Sequence, residues 1–82
     1  MLDARLVAAI SDIFGLRGDD VNPQSGRDTI AGWDSIGHLK LILRVEEIFR
    51  LRFPAAQIAG LVSAAEIQEA INRLQAAKSG SS

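Results

Sequence analysis

Eighty-two residues make one small domain, and a chain of this length buries only about 60% of the surface it exposes when unfolded, which argues against a deep catalytic cleft of its own. Nine Lys and Arg stand against ten Asp and Glu, so charge gives no basis for a nucleic-acid stripe or a polybasic membrane patch. With no cysteine and one histidine, a disulfide framework, a thiol nucleophile and a thiolate zinc site are excluded, and only carboxylates remain as metal ligands.

Leu2, Leu6, Ile10 and Phe14 recur every four residues, with Ala9 and Ile13 in the same stripe, so residues 2–14 read as an amphipathic helix that Gly15 stops. Asp3 and Arg5 interrupt the apolar start, unlike a secretory signal, and no apolar run approaches the roughly 20 residues needed to span a bilayer. A soluble, cytoplasmic protein is expected. Residues 15–34 hold four of the seven glycines and little period. A connection beyond about 12–15 residues in a compact domain is usually functional or has to cross the fold. Leu16, Val21, Ile30 and Trp33 are spaced to anchor such a crossing, which predicts a packed loop.

The second helix begins at Asp34 or Ser35, either of which can cap it, and runs to about Arg50. Ile36, Leu39, Ile42, Leu43 and Phe49 form its main apolar face. Leu41, Val45 and Ile48 widen that face, enough to meet several elements or a partner; an exposed Leu41 or Ile48 would offer a weak self-contact on an otherwise monomeric protein. Pro54 permits a short helix over residues 55–59 that Gly60 closes. Ser63 and Glu66 fit a capping box, and Ile67, Ile71 and Leu74 carry a last helix to about Ala76. Residues 77–82 have nothing to bury and are expected to form a disordered tail. The chain thus reads as all-α, a single domain over residues 1–76 with three principal helices, one short helix and a long first loop.

Ser35 stands between an aspartate and the apolar pattern of the second helix, and three roles compete for it. Serine is a favoured helix cap and most such serines do nothing more. As a nucleophile, it sits in residues 33–37 (WDSIG), superficially a G-x-S-x-G elbow, but Trp33 stands where the first glycine is needed and no strand precedes. His38 lies near it on a helix, yet Asp34, His38 and Ser35 cannot line up as acid, base and nucleophile from adjacent positions of one turn. The third role is covalent attachment of an anionic group by another enzyme, which the unsatisfied N–H groups of a helix start tolerate electrostatically.

The run over residues 33–49 (WDSIGHLKLILRVEEIF), followed by Phe53 and Pro54 and by residues 61–71 (LVSAAEIQEAI), resembles acyl carrier proteins and the related peptidyl carrier domains. The likeness extends from the first helix to about Leu74. In that family an Asp-Ser-Leu motif marks the serine that receives 4'-phosphopantetheine, and Asp34, Ser35 and Ile36 occupy those positions. The resemblance implies a carrier-type four-helix bundle, an arm delivered from coenzyme A by a phosphopantetheinyl transferase, and cargo held as a thioester on the arm's thiol. It also implies a loading ligase or acyltransferase, downstream synthase or transferase partners, and no catalysis by the chain itself. Asp34 is then a polar contact at the attachment site, and docking is expected to draw on Ile36, His38, Lys40, Leu41 and Arg44, with His38 at the helix surface.

Fatty-acid carriers have a strongly acidic second helix and an acidic cluster after the Ile-Pro pair. This chain departs from that pattern with Lys40, Arg44, Arg50 and Arg52, and with Ala55, Ala56 and Gln57 after Pro54. Such a surface should deter partners that read negative charge and points to a specialised pathway, polyketide, nonribosomal peptide or modified lipid. The alternative is a helical adaptor without a prosthetic group, indifferent to loss of the Ser35 hydroxyl. A helix-turn-helix DNA reader is disfavoured by Ile36, Gly37 and Leu39 at the helix start.

Overall fold

Asp3 opens the first helix: its carboxylate accepts the Arg5 backbone N–H at 2.8 Å, and α1 runs Ala4–Phe14. The computed structural model describes residues 2–80, with side chains through Ala77. The four-residue spacing does its work in α1, where Leu6, Ala9 and Ile10 are buried while Leu2, Ile13 and Phe14 pack partly exposed against the same core. Gly15 stops the helix in the left-handed conformation at φ 66°, its N–H returning to the Ser11 carbonyl.

Three further helices follow: α2 (Ser35–Phe49), α3 (Ala55–Ile58) and α4 (Ala64–Gly80). The described residues form a small all-α bundle of three long helices and one short one. Among the described residues there is no strand, only an isolated antiparallel bridge between Gly26 and Ser63. No described helix is long and apolar enough to cross a membrane. The radius of gyration is 12.1 Å, close to the roughly 12 Å of a compact chain this long.

The long connection between α1 and α2 is packed, as its spaced apolar residues require. After a single 3-10 turn at Gly18–Asp20, Ile30 and Trp33 are buried, and Leu16 and Val21 rest partly covered on the core. Its middle also completes the start of α4. The Ser25 carbonyl accepts the Ala64 N–H at 2.7 Å and the Pro23 carbonyl accepts that of Ala65 at 2.9 Å, so two donors that a helix start leaves without partners are satisfied by the loop. Ser25 is itself buried, its hydroxyl accepting the Asn22 N–H at 2.9 Å. Gly26 allows this approach, since a Cβ there would collide with the Val62 carbonyl oxygen.

The Ser63 and Glu66 cap forms in altered shape. Ser63 accepts the Glu66 N–H at a long 3.4 Å, while the Glu66 carboxylate reaches one residue further back, to the Val62 N–H at 3.2 Å. At its other end α4 continues to Gly80, past the expected boundary at Ala76. Ala76 ends the apolar stripe and not the helix, because extending a formed helix adds one hydrogen bond per residue ordered and Ala77 and Lys78 are good helix formers. Residues 81 and 82 of the expected tail lie outside the described residues.

Candidate functional site

Ser35 is the first residue of α2 and is exposed. Asp34 is the cap, its backbone extended and its Oδ1 accepting the Gly37 N–H at 2.8 Å. The His38 N–H closes the first helical bond onto the Asp34 carbonyl at 2.7 Å. Among the described residues nothing accepts the N–H groups of Ser35 and Ile36, and the Ser35 hydroxyl has no hydrogen-bond partner. An unpartnered hydroxyl beside two outward-facing N–H groups at the positive end of a helix suits a phosphodiester.

The turn that presents Ser35 is rigidly seated. Trp33, 2% exposed, stacks on Phe14 from the end of α1 with ring centroids 5.1 Å apart and planes 14° from parallel. Its indole N–H donates to His38 Nδ1 at 2.9 Å. Gly37 lets this turn pack closely, since a Cβ there would stand 2.5 Å from the Gly32 carbonyl oxygen and 2.8 Å from the Phe14 ring. A shallow recess of about 340 Å³ opens beside the serine, lined by Ile13, Phe14, Gly32, Asp34, Ile36, Gly37 and Lys40.

Two expected surface residues are inside the protein. His38 is 3% exposed, bound on one side by Trp33 and on the other by the Ile58 carbonyl, 2.8 Å from Nε2. Because indole can only donate, Nδ1 is the acceptor, and the ring proton sits on Nε2 and is given to Ile58. Leu41 has no exposed surface and belongs to the core. His38, Leu41, Ile42, Val45 and Phe49 form the buried face of α2, so neither His38 nor Leu41 meets a partner directly. Ile48 is half-buried. The apolar pattern was broad enough to support two faces, and the packing of Trp33, Ile58 and α1 selected the one centred on Leu41 and Val45.

The outer face of α2 consequently carries Ile36, Leu39 and Leu43, all more than half exposed, with Ile36 at 69%. Lys40 is exposed beside them, and Arg44 is exposed and paired with Asp12 of α1 at 2.9 Å. Such a surface pair is worth only about 0–1 kcal/mol and leaves Arg44 available for exchange. Sequence reasoning passed over three residues that shape this region: Gly37, Phe14 as a stacking partner, and Glu46, whose carboxylate accepts the Phe53 N–H at 2.8 Å and turns the chain after α2. A glycine inside a strong helical pattern was the available signal for Gly37.

Compared with models of known protein families the chain matches none, and no curated protein matches it. The likeness to carriers therefore rests on the residues of this chain. Among the described residues no group of three or more His, Asp and Glu is disposed to hold a metal ion.

Proposed function

We propose that this protein is an acyl carrier, modified at Ser35 with 4'-phosphopantetheine by a phosphopantetheinyl transferase, and that it works in the cytoplasm as a monomer. The observation that carries the reading is the Ser35 hydroxyl: exposed, without a partner, first in a helix of 15 residues, and held out by a buried turn. When bound, the arm supplies a terminal thiol on which acyl, aminoacyl or polyketide groups ride as thioesters.

The chain's own part is presentation. Asp34 closes the helix cap and offers its remaining carboxylate oxygen to the modifying enzyme. The N–H groups of Ser35 and Ile36 face the phosphate position, and Lys40 on the rim of the adjoining recess offsets some of its negative charge. Ile36, Leu39 and Leu43 form an apolar stripe for the ligase, acyltransferase or synthase that loads and unloads the arm. Lys40 and Arg44 bias that choice toward partners with acidic surfaces, in keeping with a specialised pathway. No residue of the chain is assigned a catalytic role.

Incubation with coenzyme A, magnesium and a broad-specificity phosphopantetheinyl transferase, read by intact mass, tests the reading. A gain of one phosphopantetheinyl group, absent from Ser35→Ala, is the expected result. A panel of active transferases that all leave the folded protein unmodified would overturn it. The exposed stripe on α2 would then favour a helical adaptor, for which Ser35→Ala retains partner binding.

A further inference from the structure

We propose that His38 is a positioning residue that ties α3 to the turn presenting Ser35, and that it does so only while its ring is neutral. The ring hydrogen-bonds to both parts: Nδ1 receives the Trp33 indole N–H at 2.9 Å, and Nε2–H is given to the Ile58 carbonyl at 2.8 Å. Trp33 lies two positions before Ser35, and Ile58 is the last residue of α3.

Few contacts hold the short helix. Three of its four residues are exposed, only Ile58 packs partly buried against the core, and its local bonds, Gln57 N–H to Pro54 and Gly60 N–H to Gln57, stay within the segment. A segment with few buried apolar contacts opens at low cost. The bond from His38 is thus a principal tether of α3.

A second proton changes the sense of one bond. Nδ1 of an imidazolium is a donor, and it would face the indole donor across 2.9 Å, so one of the two N–H groups must leave its place. The charge would also arise without a carboxylate bonded to the ring. Residues 55–58 (AAQI) and 29–33 (TIAGW) contain no titratable side chain. From α1, the Asp12 carboxylate is engaged by Arg44 at 2.9 Å. On α2 itself the neighbours in sequence are Asp34, whose Oδ1 holds the Gly37 N–H, and the cations Lys40 and Arg44. From α4, Glu66, Glu69 and Arg73 line a recess beside Ala56 and Gln57 of α3. Among the described residues no carboxylate hydrogen-bonds the ring. A buried charge in that setting favours the conformation in which the imidazolium reaches water, with α3 swung away and Trp33 loosened.

The latch itself is independent of the carrier reading; only its consequence for presenting the arm at Ser35 rests on that reading. The experiment is amide hydrogen exchange by NMR on the unmodified full chain, corrected for the intrinsic pH dependence of exchange. The probes are Gly60 and Leu61, whose N–H groups are bonded to Gln57 and Ile58, with the helix interiors of α1 and α4 as controls. Stepwise acidification from neutral pH should raise the opening of Gly60 and Leu61 by about threefold or more while the controls hold. Trp33→Phe keeps an aromatic ring against Phe14 and removes the opposing donor, so protonation costs less in the closed form and the rise in opening with acid should shrink. Opening that is unchanged with pH, that occurs equally in α1 and α4, or that is identical in Trp33→Phe would overturn the proposal, whatever coenzyme A labelling shows.

Discussion

At Ser35 a cap position and an attachment position differ by one residue. Asp34 performs the capping, which leaves the serine hydroxyl without a structural duty and available for modification. Asp34→Ala should therefore destabilise the fold by about 1 kcal/mol, measured by urea unfolding, since one N–H of the first turn loses its acceptor. Ser35→Ala should leave stability nearly unchanged and abolish labelling. Gly37→Ala should cost roughly 1–3 kcal/mol in the same assay, because the Gly32 carbonyl and the Phe14 ring are backbone and packed aromatic that give way poorly. The serine and its aspartate were legible from their place at the edge of an apolar pattern. The burial of His38 was not, because its two partners lie five positions back and 20 positions ahead in the chain.

The second helix has a structural face and an outward face, both apolar. Leu41→Ala should cost about 2–5 kcal/mol, as a fully buried leucine. Leu43→Ala, two residues away on the exposed side, should change stability by no more than about 0.5 kcal/mol while weakening capture by a loading enzyme. A larger loss of stability for Leu43→Ala than for Leu41→Ala would show that the faces are exchanged. Lys40→Glu with Arg44→Glu should leave the fold intact and improve turnover by fatty-acid-type partner enzymes, which read negative charge with basic surfaces; unchanged turnover would remove charge as the discriminator. At the start of α1, the hydrogen bonds of the Arg5 side chain and then its backbone N–H hold the Asp3 carboxyl below the usual carboxylate range. A depressed carboxyl stabilises the fold above its unfolded value, near 3.8, and that contribution is lost as the pH falls through the lower folded value. Exchange at the first turn of α1 should rise only in that strongly acid range.

At the scale of the molecule, the long loop is a structural strap as much as a route to Ser35. Its carbonyls at Pro23 and Ser25 complete the start of α4, and the Asp3 N–H, at the other end of the chain's first turn, is given to Gln68 of α4 at 2.6 Å. Gly26→Ala should push the strap off Val62 and destabilise the whole bundle, lowering the thermal midpoint without altering the chemistry available at Ser35. Sedimentation should report a monomer, because Leu41 is spent in the core and the outward stripe of Ile36, Leu39 and Leu43 is narrow.

The number and kind of helices, the packed character of the loop and the place of Ser35 at a helix start were determined by local information: a period near four, glycine and proline stops, and capping residues each act within a turn or two of the chain. Which apolar face of α2 turns inward was decided only by tertiary structure. Ile36, Leu39 and Leu43 are as hydrophobic as Leu41, Ile42 and Val45, and the second set is buried because α1 and the bonded Trp33–His38–Ile58 bridge meet the helix on that side. Hydrophobicity sets how much surface must be covered, whereas the direction of covering depends on contacts between residues far apart in sequence.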